Sequence, residues 1–395
     1  MTATPEFTVL MPARNAARTV GRALRSLDDS AIATVILIDD FSEDETVAQA
    51  LGVGDDRLRV VQPERHRSLA SARNRGLLAV DTEWMVWCDA DDAFEPGRAS
   101  ALLELLKSSG ADCASDGVLL FDGPSGDFLR ELPIPPFLLN TWNPCRLFER
   151  NYLPGVGHIA VRTRLARQLC YDDRLSSADD YDFVLRLVRS GARFAFSPLC
   201  GYRMFAYPGS DSRHLDRQNE MVARVLRKHT YGEVDRLYKA AGLSDRVASW
   251  GLCSMALFRG QYETALDFLA RAYPDGADPE EVLEPEGPYP VPEGWRHSFT
   301  RGTLELVAGD AGTAATWLTA AQAWRDSADV LNNLGVAHSR LGSVTEAHAC
   351  FEQALQLFPP YLDARINLIA PEPARVTLLP LRFYPSREDY LRESV

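Results

Sequence analysis

Trp84-Met85-Val86-Trp87-Cys88-Asp89-Ala90-Asp91-Asp92 is the stretch on which the reading of this chain turns. Its unbroken apolar run suits a strand buried on both faces, as in a parallel sheet covered by helices. Similar runs occur at Phe7 to Met11 and Val35 to Ile38, with helical periodicity through Val20, Ala23, Leu24 and Leu27 between them. Strand-helix-strand order implies parallel neighbours joined by right-handed crossovers. In open α/β sheets ligands bind beyond the carboxyl ends of the strands, and there this chain turns acidic. Three carboxylates crowded after one apolar strand resist ionisation unless a cation or polar ligand is present. Mg²⁺ or Mn²⁺ relieves that conflict, and such hard cations complete their coordination with water and substrate phosphates. A nucleoside diphosphate is therefore a natural partner. The alternative for an isolated Asp-x-Asp is an acidic surface turn; the buried strand before it and the Asp39-Asp40 pair upstream favour a ligand site.

Working outward, Met11-Pro12-Ala13-Arg14-Asn15 follows the first apolar run and Asp39-Asp40-Phe41-Ser42-Glu43-Asp44 the second. Short polar side chains at strand ends accept hydrogen bonds from a base and ribose; alternatively, Asn15 or Ser42 caps the following helix. Ser71-Ala72-Arg73-Asn74-Arg75-Gly76 reads as helix. Ser176-Ser177-Ala178-Asp179-Asp180-Tyr181-Asp182 opens another, with an apolar face of Tyr181, Val184, Leu185 and Val188. Serine as N-cap, carboxylates at the positive end of the helix dipole and an Asp182–Arg186 pair explain that segment without chemistry. A carboxylate held at a helix start beside a pocket also serves as a general base when it reaches the acceptor proton.

Read in order, these pieces resemble glycosyltransferase family 2. They are Val9, Pro12 and Asn15; Asp39 to Asp44; Ala72 to Gly76; Asp89 to Asp92; Asp179, Asp180 and Arg186; and Tyr202-Arg203 with Ser210 and Ser212. The resemblance implies an α/β, Rossmann-like GT-A fold that uses a nucleotide-activated sugar, often a UDP-sugar, with Mn²⁺ or Mg²⁺. It assigns Pro12, Arg14, Asn15, Asp39 and Asp40 to the donor, with both aspartates near base and ribose. Arg73 is assigned to the diphosphate, and Asp89, Ala90 and Asp91 to ribose and metal, Asp89 and Asp91 being the metal ligands. Asp180 is the implied catalytic base, with Asp179 as its rival because the acidic pair of the family is often Glu-Asp. Transfer then inverts the anomeric centre in one displacement.

The 395-residue chain is long enough for two cores, and its 46% apolar and 25% charged composition is that of ordinary globular protein. A net charge of -13 argues against nucleic acid or anionic lipid as partner. No run reaches the roughly 18 apolar residues of a membrane span, and the first residues lack a signal-peptide pattern, which together predict a cytoplasmic protein. Cys88, Cys113, Cys145, Cys170, Cys200, Cys253 and Cys350 form no C-x-x-C pair and read as free thiols. Lysine occurs only at 107, 228 and 239, the arginine bias of GC-rich coding DNA, which points to a bacterial source.

Beyond about residue 245 the chain repeats itself. Gly260, Gly309 and Gly342 correspond, as do Ala265, Ala314 and Ala347; Phe268, Trp317 and Cys350; and Ala272, Ala321 and Ala354. The last two copies are 33 residues apart, and the third resembles a tetratricopeptide repeat. The wider first spacing reflects an insertion, Asp275 to Gly294, that reads as an exposed loop. The expected organisation is a GT-A domain over 1–215, a helical linker over 216–246, repeats over 247–360 and a tail or cap over 361–395. Repeats that stack into a curved surface suggest a peptide or protein acceptor, with a glycan or natural product as the alternative; self-association into a homo-oligomer is the other use of such a surface. An interaction scaffold with an inactive transferase domain is a competing reading, which the complete acidic set argues against. A nucleotidyltransferase is another, and Pro12 to Asn15 lacks its glycine-rich basic loop.

Overall fold

A computed structural model of the chain describes residues 6–64, 68–207, 215–274, 291–359, 361–370 and 374–380. Two compact units emerge: residues 1–147 with 151–225, and residues 148–150 with 226–395.

The first unit runs β1 (Phe7–Ala13), α1 (Val20–Arg25), β2 (Ile32–Asp39), α2 (Thr46–Leu51), β3 (Leu58–Val61), α3 (Leu69–Ala79), β4 (Trp84–Trp87), β5 (Ala93–Phe94), α4 (Arg98–Ser109), β6 (Cys113–Asp122), β7 (Phe128–Leu132), α5 (Pro136–Thr141), β8 (Ala160–Arg162), α6 (Thr163–Leu169), α7 (Asp179–Arg189), β9 (Phe194–Ala206) and α8 (Leu215–Leu226). The strands form one mixed sheet in the order β3-β2-β1-β4-β8-β6-β9-β5, with β7 beside β6. β1 lies parallel to β2 and β4, pairing Ala13 with Asp39 and Leu10 with Trp87, so the acidic segments emerge at one sheet edge. This is the Rossmann-like α/β arrangement expected from the apolar runs. β8 then turns the sheet antiparallel against β4 and β6.

Every residue of β1 and β4 is buried, which is why those strands read as continuous rather than alternating apolar runs. Gly76 shows how closely α3 lies on the sheet: a Cβ there would stand 2.4 Å from Ile38 Cδ1. That approach turns one face of α3 inward and buries Arg73 three residues before it.

The second unit contains α9 (Tyr231–Ala240), α10 (Asp245–Phe258), α11 (Tyr262–Ala272), α12 (Glu293–Ala308), α13 (Ala311–Trp324), α14 (Ala328–Arg340), α15 (Val344–Leu357) and α16 (Leu362–Ile369). Helices pair as α10 with α11, α12 with α13 and α14 with α15. Gly260, Gly309 and Gly342 fall at the turns inside those pairs, each with positive φ, a conformation that glycine adopts without steric cost. Ala265, Ala314 and Ala347 are buried, as are Ala272, Ala321 and Ala354. Gly302 and Gly335, themselves 33 residues apart, let paired helices approach closely, with a Cβ meeting Leu318 Cγ at 2.7 Å and Phe351 Cε1 at 2.5 Å. Most of the insertion, residues 275–290, lies outside the described residues, but its end differs from the expected loop: Glu293 and Gly294 start α12 and are buried, Gly294 against Trp324. The seven cysteines are free.

Candidate active site

Asp89 follows β4 and is met by His158, whose Nε2 lies 3.0 Å from Asp89 Oδ2 and 3.9 Å from Asp92 Oδ2. The imidazole stacks on Tyr202 with ring centroids 3.7 Å apart. Tyr202 in turn accepts from the Asp89 N–H at 3.1 Å and donates its hydroxyl to Asp92 Oδ2 at 2.9 Å, while the Phe205 N–H donates to Asp92 Oδ1 at 2.8 Å. Behind this group Arg98 makes a bidentate pair with Asp116 at 2.9 and 2.7 Å and donates to the His158 carbonyl at 3.0 Å. A buried, bidentate arginine fixes the backbone that carries the imidazole.

Burial pushes the Asp89 carboxyl up, but hydrogen bonding to His158 and the nearby positive charges outweigh it and hold Asp89 below the usual carboxylate range. Asp91 is pushed up to about 6 by burial and by Asp89, and Asp92 is pushed well above its ordinary value by burial and by both neighbours. The carboxylate conflict read from the sequence is therefore present in space. Among the described residues, one ligand atom each from Asp89, Asp92 and His158 falls within 4.8 Å of the others, a set able to hold a cation. Asp91 sits beside this set rather than within it, and its carbonyl is held by Arg22.

Arg73 lies on the other side of Asp89. Its Nη1 donates to Asp179 Oδ2 at 2.7 Å, with both side chains buried. Burial opposes its charge, yet Asp179, Tyr171, Asp180 and Asp89 together push its pKa upward. Asp180 is pushed up by burial and by Asp179, against the pull of Arg73. Its Oδ1 accepts from the Tyr181 N–H at 2.7 Å, and a Cβ at Gly157 would lie 3.1 Å from its Oδ2. Gly157 thus leaves open the space in front of one carboxylate oxygen.

The serine cap expected for α7 is not found: Ala178 is the N-cap, with positive φ and no side-chain bond, and the Ser177 hydroxyl is buried without a partner. The left-handed turn at Ala178 aims the aspartates instead. The Asp182–Arg186 pair forms at 2.8 Å. At the β1 and β2 ends, neither Asn15 nor Ser42 caps a helix. The Asn15 N–H donates to Ser42 Oγ at 3.0 Å and its Oδ1 accepts from the Glu43 N–H at 2.8 Å, so the two residues tie the loops together. Pro12 is buried within β1, Arg14 is exposed just beyond it, and Asp39 and Asp40 are buried at the end of β2. Asp39 Oδ2 accepts from Gln62 Nε2 at 2.6 Å. Ala90 is buried between Asp89 and Asp91. Ser210 and Ser212 lie outside the described residues. His158 went unread in the sequence because it stands 69 residues from Asp89, in a segment with no periodicity to mark it.

Residues 8–166 match the profile of glycosyl transferase family 2, and residues 328–361 match a tetratricopeptide repeat. The chain is 29% identical to the succinoglycan biosynthesis protein ExoO of Rhizobium meliloti over 55% of its own length and 66% of that protein's. It is 33% identical to ExoU of the same organism over 49% and 60%, and 27% identical to the amylovoran biosynthesis glycosyltransferase AmsB of Erwinia amylovora over 52% and 72%. The chain thus covers less than two thirds of ExoU and about two thirds of ExoO. Among solved structures, a fragment of S. aureus TarS aligns at 17% identity and a TM-score of 0.49, covering 81% of this chain and 91% of that one. In the described residues no helix is long and apolar enough to cross a membrane. On the profile matches and the mixed sheet, residues 8–166 match a glycosyl transferase family 2 domain, and a tetratricopeptide repeat follows at residues 328–361.

Proposed function

We propose that the protein is an inverting, metal-dependent transferase that moves a sugar from a nucleoside diphosphate donor, a UDP-sugar, to a peptide or protein acceptor. The observation that carries this reading is Asp180: half-buried, raised in basicity by burial and by Asp179, and held at the start of α7 with one carboxylate oxygen beside Gly157. Its carboxylate takes the acceptor proton while the acceptor atom bonds to the anomeric carbon from the face opposite the leaving group. The bond from that carbon to the diphosphate oxygen breaks, and the nucleoside diphosphate departs with its electron pair. Asp179 is the weaker candidate for the base because Arg73 already occupies its Oδ2. The positive charge of Arg73 favours the developing diphosphate.

The donor set fits a hard divalent cation, since it is mainly carboxylate and burial beside Asp91 and Asp89 pushes Asp92 toward neutrality. Asp89, Asp92 and His158, with Asp91 beside them, would hold Mn²⁺ or Mg²⁺, which when bound would supply countercharge to the diphosphate. Pro12, Arg14, Asn15, Asp39 and Asp40 shape the end of the sheet where base and ribose would lie.

A glycan acceptor is the second reading, favoured by the names of relatives assigned to succinoglycan and amylovoran synthesis, which cover only about half of this chain. Incubation with Mn²⁺ and a panel of nucleotide sugars tests the proposal. Release of free nucleoside diphosphate without pyrophosphate, lost in Asp180→Asn, supports it. Pyrophosphate as product, or full transfer by Asp180→Asn, removes it.

A further inference from the structure

Residues 374–380, Ala-Arg-Val-Thr-Leu-Leu-Pro, lie against the helices of the last repeats through bonds made chiefly to the main chain. Asn367 on α16 reads both peptide groups of Arg375: its Oδ1 accepts from the N–H at 2.7 Å and its Nδ2 donates to the carbonyl at 2.8 Å. Asn333 on α14 does the same for Thr377, at 2.8 Å to the N–H and 2.9 Å to the carbonyl. Asn332 donates to the Arg375 carbonyl at 3.0 Å and accepts from Asn367 at 2.9 Å, so the three amides form one network. All three asparagines are fully buried.

In an extended chain a residue presents its own N–H and C=O to the same side, and alternate residues present theirs to opposite sides. Arg375 and Thr377 obey that pattern, while the Val376 side chain between them packs against the apolar core of the repeat helices. The asparagines therefore act as the neighbouring strand of a ladder would, and main-chain reading of this kind is indifferent to most of the sequence bound. Three polar residues in helix interiors, where they favour neither helix nor apolar packing, are explained by that task. Side-chain preference enters at two points: the Thr377 hydroxyl bonds Tyr361 and lies 3.3 Å from Asp363 Oδ2, and Leu379 is buried.

We propose that the face of α14 and α16 bearing Asn332, Asn333 and Asn367 is a groove for an extended polypeptide with a hydroxyl residue followed two places later by an aliphatic one. The chain's own residues 374–380 fill it in cis and compete with such a segment supplied in trans. A tethered occupant acts at an effective concentration of about millimolar, so it masks the groove without high intrinsic affinity.

The test is fluorescence anisotropy with a labelled, terminally blocked Ala-Arg-Val-Thr-Leu-Leu-Pro peptide, on the intact chain and on the chain ending at residue 373. Because no donor sugar or turnover is involved, its outcome is separable from that of the transferase reading. The shortened chain is expected to bind the peptide at least about tenfold more tightly than the intact chain. A peptide N-methylated at the threonine loses binding, whereas one N-methylated at the valine keeps it. If truncation disturbs folding, Thr377→Pro in the full chain, which removes the N–H read by Asn333, is expected to open the groove instead. Absence of peptide binding by a folded shortened chain overturns the proposal, as does equal loss from both N-methyl peptides. Loss of helical circular dichroism in both variants also overturns it, because the segment is then an integral part of the fold.

Discussion

Arg73 Nη1 and Asp179 Oδ2 stand 2.7 Å apart, joining α3 to the first turn of α7 across 106 residues of sequence. Both side chains are buried, so each depends on the other for its charge. Removing one partner of such a pair typically costs about 3–5 kcal/mol, because the remaining charge is left without compensation. Arg73→Met is therefore expected to lose about that much stability in urea unfolding, and adding Asp179→Asn should recover part of it. A loss under about 1 kcal/mol would mean that water or another group replaces the arginine.

Asp180→Asn should fold and lose transfer by about 10²–10⁴-fold, the usual worth of a positioned base. The pH profile of the wild type adds a second readout. The base works only when ionised, and burial with Asp179 raises its pKa, so activity should climb with pH along a limb above the ordinary aspartate value of about 3.9. A limb at the ordinary value would point to a solvated carboxylate elsewhere.

The same shift predicts a stability effect of definite sign. A carboxyl whose folded pKa exceeds its unfolded one gives its full contribution below the unfolded value, and loses it as pH rises through the folded value. Asparagine never ionises and escapes that loss. Asp180→Asn should therefore match the wild type near pH 4 and melt above it at pH 8, as calorimetry across that range would show.

Mn²⁺ should raise the melting temperature at neutral pH in a concentration-dependent way. At about 100 times its dissociation constant, a cation that binds only the folded state adds about 2.7 kcal/mol. Asp89→Asn should weaken the response strongly, and His158→Ala should weaken it if the imidazole joins the aspartates. An unchanged titration in both variants would locate cation binding elsewhere.

Gly76→Ala tests the close packing of α3. Its new methyl group would meet Ile38 Cδ1 at 2.4 Å, so overpacking of about 1–3 kcal/mol is expected by chemical denaturation. Gly54→Ala makes a useful contrast: nothing lies within 4 Å of its Cβ, and the cost there comes from a φ of +75°.

Strand and helix types were legible because burial leaves a local mark. β1, β2 and β4 carry continuous apolar runs, α1 and α7 carry helical spacing, and the repeat glycines recur wherever a helical pair must turn. The order of acidic segments was equally local, and their common edge follows from parallel strands ending on one side. Tertiary structure alone brought His158 to Asp89, paired Arg73 with Asp179 and set Asn333 against Thr377, at separations of 69, 106 and 44 residues. Periodicity reports which face of an element is buried, because that choice is repeated at every turn or alternate residue. A polar contact between distant segments is made once, by two side chains whose meeting depends on the path of the whole chain, and it leaves no repeat in either stretch to read.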